Sequence, residues 1–79
     1  MPTILRIDKY RFFFFSNEGV EPVHVHVESA GQYAKFWLQP VALASSVGYN
    51  AKELTRLRKI AEEHSALFVE KWNEYFSAR

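Results

Sequence analysis

The 79-residue chain contains no cysteine. That absence removes disulfide frameworks, thiol catalysis, cysteine-ligated zinc and CxxC redox chemistry together, and it fits a reducing compartment. Long apolar runs are missing as well. In the stretch MPTILRIDKYRFFFFSNE, Arg6, Asp8, Lys9 and Arg11 interrupt the hydrophobic residues and leave a longest run of four. A signal-peptide core needs about 7–15 apolar residues and a membrane span about 20, so the sequence predicts a cytoplasmic protein with no membrane attachment. An excess of charge of either sign is also missing: ten Lys and Arg against nine Asp and Glu leave a net value of +1. That is too little for a phosphate-binding footprint from bulk electrostatics, and any nucleic-acid contact has to come from a local cluster. Linkers, repeats and low-complexity segments are absent, which makes residues 1–79 a single domain.

What is present is aromatic bulk. Seven Phe, two Trp and four Tyr let a chain this short fill a core without a disulfide or a structural metal, since each such ring buries roughly 150–250 Å². Residues 3–7 and 10–15 read as two β-strands separated by Asp8-Lys9, a spacing that suits a tight hairpin. In the second, Tyr10, Phe12 and Phe14 share one face while Arg11, Phe13 and Phe15 share the other, so this strand is expected to be covered on both sides or central in the sheet. Ser16-Asn17-Glu18-Gly19 is a turn cluster, and Pro22 delays the next strand. Residues 23–28 alternate strictly, and residues 33–38 read as a fourth strand after a short loop. Short loops between consecutive strands predict an antiparallel meander.

From Pro40 the period changes. Val41, Ala44 and Val47 recur at three, with proline before and Gly48 after, which predicts a helix of about two turns. Asn50 followed by Glu53 resembles a capping box. Beyond it, apolar residues keep helical spacing to the C-terminus, predicting one helix of about 25 residues, roughly 38 Å long. The expected fold is therefore α+β: a four-stranded antiparallel meander covered on one face by a short helix and a long C-terminal helix.

The segment EPVHVHVE, residues 21–28, carries the most specific chemistry. Strand period puts His24, His26 and Glu28 on one face and Val23, Val25 and Val27 on the other. If the long helix packs on the valines, the imidazoles line the open face, where two groups with pKa near 6.5 can act as general base and acid around a phosphate. Arg11 and Lys35 on the flanking strands are the expected phosphate-binding cations, with Arg6 as a further candidate. Metal binding through His24, His26 and Glu21 or Glu28 is an alternative, although zinc needs three or four ligands. So is a plain solvated strand face. On the long helix Lys52, Arg56 and Lys59 form a basic stripe followed by Glu62, Glu63, Glu70 and Glu74, an order opposed to the helix dipole that hints at a negatively charged partner. Arg58 and Lys59 can also pair with Glu62 and Glu63 in an ordinary solvated face. His64, among apolar helix positions, reads as a half-buried packing residue.

MPTILRI, YRFFFFSNE, EPVHVHVE, AKFWLQPV and WNEYF together make the chain resemble, over nearly its whole length, the bacterial and archaeal family called domain of unknown function 4160. The resemblance maps family positions onto Arg6, Tyr10, Arg11, Glu21, Pro22, His24, His26, Lys35, Trp37 and Trp72. Asp8-Lys9 departs from a pattern in which glycines are usual, and Val23 from one in which a proline often stands. Genes of this family commonly lie beside a second small gene, an arrangement similar to toxin–antitoxin pairs. That implies a partner protein encoded next door. The resulting expectation is a toxin-like component of a two-gene module, acting on RNA as a metal-independent nuclease with His24 and His26 as acid and base, without cofactor. The alternatives are a non-enzymatic interaction module, antitoxin or regulator, in which Lys52, Arg56, Lys59, Arg6 and Glu21 serve binding, and a metal-binding protein.

Overall fold

The computed structural model describes residues 3–15 and 20–77. Five strands form one antiparallel sheet: β1 (Thr3–Ile7), β2 (Tyr10–Phe13), β3 (His24–Ser29), β4 (Gln32–Leu38) and β5 (Val41–Val47). They lie side by side in chain order, a meander with β1 and β5 at the edges. Two helices follow, α1 (Ala51–Glu63) and α2 (Ser65–Ser77). The turn cluster at residues 16–19 lies outside the described residues.

Turn chemistry sets the registers. Asp8 adopts φ 53° between β1 and β2, and Ala30 and Gly31 adopt φ 47° and 79° between β3 and β4. Two consecutive positive φ values are the signature of a tight hairpin whose twist matches that of its strands, and glycine takes the second without a Cβ penalty. Gly48 (φ 92°) ends β5. A Cβ there would come within 2.9 Å of Gln32 Cγ, whose amide donates to the Gly48 carbonyl.

One face of the sheet carries the main core. Tyr10, Phe12, Phe14, Val25, Val27, Ala34, Phe36 and Leu38 pack against Leu57, Ile60 and Ala61 of α1 and Phe68 and Trp72 of α2. Phe12 stacks on Phe68 with ring centroids 5.3 Å apart. The expected division of β2, with even-numbered residues toward the helices, and of β3, with valines toward the helices, is what the structure has.

Two expectations fail. Residues 41–47 form a fifth strand and not a two-turn helix. Gln39-Pro40, joined by a cis peptide bond, is the turn of a β4–β5 hairpin, so the proline opens no helix. The spacing of Val41, Ala44 and Val47 misleads because most of β5 is exposed on an edge, where strand alternation is not enforced by burial. The expected single long helix is broken at His64, which takes φ −110° and ψ 13°. The ladder is re-joined around it by His64 N–H to Ile60 O and Phe68 N–H to His64 O, each 3.0 Å. The Ser65 hydroxyl donates to Glu62 O at 3.2 Å, a side-chain bond of the kind that competes with helical continuation. At the start of α1, Asn50 accepts from Glu53 N–H at 2.8 Å, the expected cap. The Glu53 carboxylate accepts from the Tyr10 hydroxyl at 3.1 Å, which ties the helix to β2.

Candidate functional site

The strand period of β3 does separate two sets of side chains. The two-residue turn at Ala30-Gly31 sets His24 opposite Trp37, His26 opposite Lys35 and Glu28 opposite Tyr33 on β4, while β2 sets Phe13 opposite His26 and Arg11 opposite Glu28. Cross-strand partners share a face and stand about 5 Å apart. Arg11, Phe13, His24, His26, Glu28, Tyr33, Lys35 and Trp37 thus occupy the face turned away from the helices. Arg6, opposite Arg11 on β1, extends the same face to its edge.

The imidazoles are not exposed there, contrary to expectation. His24 is 0% and His26 2% accessible, because the residues around them close a second, smaller aromatic layer. The His26 ring is stacked against Phe13 (centroids 5.4 Å) and Tyr33 (5.7 Å) and meets Phe15 edge-on at 4.6 Å. His24 sits 5.0 Å from His26 and within 5.6 Å of Trp37. The β2–β3 ladder ends at Phe13 and His26, and beyond that end Trp72 of α2 reaches His24 at 4.9 Å. Sheet layer and helix layer therefore meet on this ring.

Hydrogen bonds orient both rings. His24 Nδ1–H donates to the Pro22 carbonyl at 2.8 Å, since a carbonyl can only accept; this assigns the proton to Nδ1 in the neutral ring. His26 Nδ1 shares a 2.6 Å hydrogen bond with the Tyr33 hydroxyl.

The expected cations are adjacent but engaged. Arg11 lies 4.5 Å over the Phe13 ring, donates to Thr3 Oγ1 at 2.8 Å and pairs with Glu28 at 2.9 Å. Lys35 lies 4.5 Å over Trp37 and pairs with Glu21 at 2.8 Å. Both side chains are largely covered, at 19% and 18% exposure, the behaviour of long cations laid across an apolar surface. The same pairs occupy Glu21 and Glu28, the carboxylates expected as third metal ligands. Among the described residues no group of three His, Cys, Asp or Glu side chains is placed to hold a metal ion.

Lys52, Arg56 and Lys59 stand apart from this cluster, on α1 in the layer that covers the other face. All three are exposed. Arg56 pairs with Asp8 at 2.6 Å and Lys9 with Glu53 at 3.6 Å, so the β1–β2 turn joins the helix stripe. Lys9, Tyr10, Lys52, Glu53 and Arg56 line a shallow cleft of about 340 Å³. Arg58 pairs with Glu62 at 3.6 Å, as expected for a solvated helix side. His64 is half-buried, with its ring 6.2 Å from Phe68.

Sequence reasoning singled out neither Tyr33, the hydrogen-bond partner of His26, nor Phe13 and Phe15 as the cover of the imidazoles. Both were within reach. Recognising Ala30-Gly31 as a two-residue turn fixes the pairing of Glu28 with Tyr33, and the alternation of β2 already placed two phenylalanines on that face.

No helix among the described residues is long and apolar enough to cross a membrane. No curated protein and no solved structure matches the chain. The family model described as "Domain of unknown function (DUF4160)" matches residues 10–73, a span that holds the buried histidine pair, both covering cations and the basic stripe of α1, and the chain belongs to that family.

Proposed function

We propose that this chain is a binding component, not a catalyst, of a two-gene module, and that its partner is the protein encoded by the neighbouring small gene. The observation that carries this reading is the burial of His24 and His26. General acid–base catalysis needs a ring nitrogen within hydrogen-bond reach of the reacting atom, about 2.6–3.2 Å. Two imidazoles at 0% and 2% accessibility, packed among aromatic rings, offer a phosphodiester no such approach. Arg11 and Lys35 spend their charge on Glu28 and Glu21, which leaves a phosphate little to recruit. The histidine strand acts instead as the filling of a second core layer that stiffens the sheet.

The docking surface in this reading is the basic corner. Lys52 and Lys59 make no ion pair among the described residues, and beside Arg56 and Lys9, whose charges are matched by Asp8 and Glu53, they leave positive charge at the N-terminal half of α1, where the helix dipole adds to it. Desolvating such a cluster becomes favourable when a partner supplies carboxylates, so an acidic protein surface fits. Co-expression with the neighbouring gene product, followed by purification, tests the proposal. A 1:1 complex that is lost in the triple variant Lys52→Glu, Arg56→Glu, Lys59→Glu is the expected result. RNA cleavage or growth inhibition by the chain alone, abolished in a folded His24→Gln, His26→Gln variant, would restore the nuclease reading.

A further inference from the structure

The basic stripe of α1 has a single internal counter-ion among the described residues. Lys52, Arg56 and Lys59 follow one another at i, i+4 and i+7, so Arg56 stands between the other two with about 5–6 Å between neighbouring Cβ atoms. Arg56 alone of the three is paired, to Asp8 Oδ2 at 2.6 Å. Two acids reach this corner, and they are held differently. Glu53 is 24% exposed, accepts from the Tyr10 hydroxyl at 3.1 Å and faces Lys9 at 3.6 Å; it fastens α1 to β2. Asp8 sits at the tip of the β1–β2 turn, 61% exposed, and meets an Arg56 that is itself 59% exposed. An ion pair so open to water is weak and readily exchanged.

We infer, on the docking surface proposed above, that Arg56 is the anchor for a carboxylate of the acidic partner and that Asp8 occupies this anchor in the free chain as a built-in competitor. The Asp8 carboxylate marks what the guanidinium is placed to hold, since the planar fork of arginine matches a carboxylate. The guanidinium carbon lies 5.9 Å from the centroid of the Tyr10 ring, which is buried and gives the anchor a fixed floor. Beside the pair opens the cleft of about 340 Å³ lined by Lys9, Tyr10, Lys52, Glu53 and Arg56, which gives an incoming side chain room. When a partner carboxylate takes Arg56, Asp8 turns to water and the number of ion pairs on Arg56 is unchanged. The gain comes from Lys52 and Lys59, one turn to either side. The chemistry recognised is therefore a run of carboxylates about 5–6 Å apart, as along one side of an acidic helix, and not a lone acid.

Titration of the full chain with hexaglutamate blocked at both ends, at about 20 mM salt and followed by calorimetry and by the amide shifts of α1, tests this. Asp8→Asn removes the competing charge, and asparagine tolerates the same left-handed backbone, φ 53° at this position, so the turn is kept. This variant should bind the peptide about twofold to fivefold more tightly than the wild type, the worth of one exposed ion pair. Glu70→Gln, which removes the same charge from an exposed position on α2, should leave binding unchanged. In an Arg56→Gln background Asp8→Asn should have no effect. No tightening by Asp8→Asn, equal tightening by Glu70→Gln, or tightening that persists without Arg56 would each overturn the role of Asp8 while leaving the docking surface in place. Failure of every form to bind hexaglutamate up to about 5 mM would remove the basic corner as a docking surface and the role of Asp8 with it.

Discussion

Replacing His26 by alanine separates a packing role from a solvent-facing one by size of effect. The imidazole is enclosed by four rings whose centroids lie 4.6–5.7 Å away: Phe15, His24, Phe13 and Tyr33. Removing it opens a cavity that the sheet cannot collapse, because Phe13 and Tyr33 are held by strands on either side. Burial of an aromatic ring that is lost to alanine costs about 3–5 kcal/mol for Phe or Trp. The smaller and more polar imidazole scales this to about 2–4 kcal/mol, including the lost ring contacts. Tyr33 is only half-buried, so the loss of its bond to the imidazole is offset by water and adds little. In a domain of this size each kcal/mol lowers Tm by about 4–8 °C, which gives a fall of roughly 10–30 °C. An exposed histidine on a polar strand face would change stability by no more than about 0.5 kcal/mol. Thermal and urea unfolding followed by circular dichroism distinguish the two. His26→Phe, which fills the same space, should recover most of the loss. A His26→Ala protein within about 3 °C of the wild type would refute the reasoning.

Three further outcomes follow from the packing, the helix cap and the buried phenols. Phe68→Ala, which removes the fully buried ring stacked on Phe12, should cost about 3–5 kcal/mol in urea unfolding; a loss below about 1 kcal/mol would mean that α2 does not pack as described. Asn50→Ala should cost about 1 kcal/mol, since it deletes the acceptor for Glu53 N–H, whereas Asn50→Asp should cost almost nothing; equal losses in both would argue against the cap. At high pH, burial and then the hydrogen bond and charge of Glu53 hold the Tyr10 phenol above its ordinary value, and burial does the same for Tyr49. The unfolded chain releases these protons first, near pH 10, so their contribution is complete below that value and is lost as pH rises toward the raised native value. Tyr10→Phe should therefore show a shallower alkaline fall in stability than the wild type, and superimposable alkaline slopes would contradict the assignment.

Faces were more legible in the sequence than burial was. The alternation of β2 and β3 correctly divided Phe12, Phe14, Val25 and Val27 from Arg11, Phe13, His24 and His26, because period 2 is fixed by backbone geometry and does not depend on the rest of the fold. The Asn50 cap was legible for a similar reason: it is a local hydrogen bond between residues three apart. The exposure of the histidine face was misjudged because it depends on register. Only when Trp37, Lys35 and Tyr33 are set opposite His24, His26 and Glu28 does a closed layer appear, and register is decided by the turn. The two phenylalanines on the far side of β2 were a sign that this side too would be covered. Helix length failed at His64 because nothing stronger than a serine side chain marks the break. Residues 41–47 failed because small, uncharged residues on an edge carry almost no periodic signal, and the bulge between Leu43 and Ser45 breaks the alternation that remains.

The central claim is that His24 and His26 belong to the interior. Acylation of the native protein by a histidine-selective reagent, read residue by residue by mass spectrometry, tests it most directly. Half-exposed His64 should be modified readily, while His24 and His26 remain protected until denaturant is added. Rapid modification of either His24 or His26 in the folded protein would contradict the account and return both rings to the list of groups able to act on a substrate.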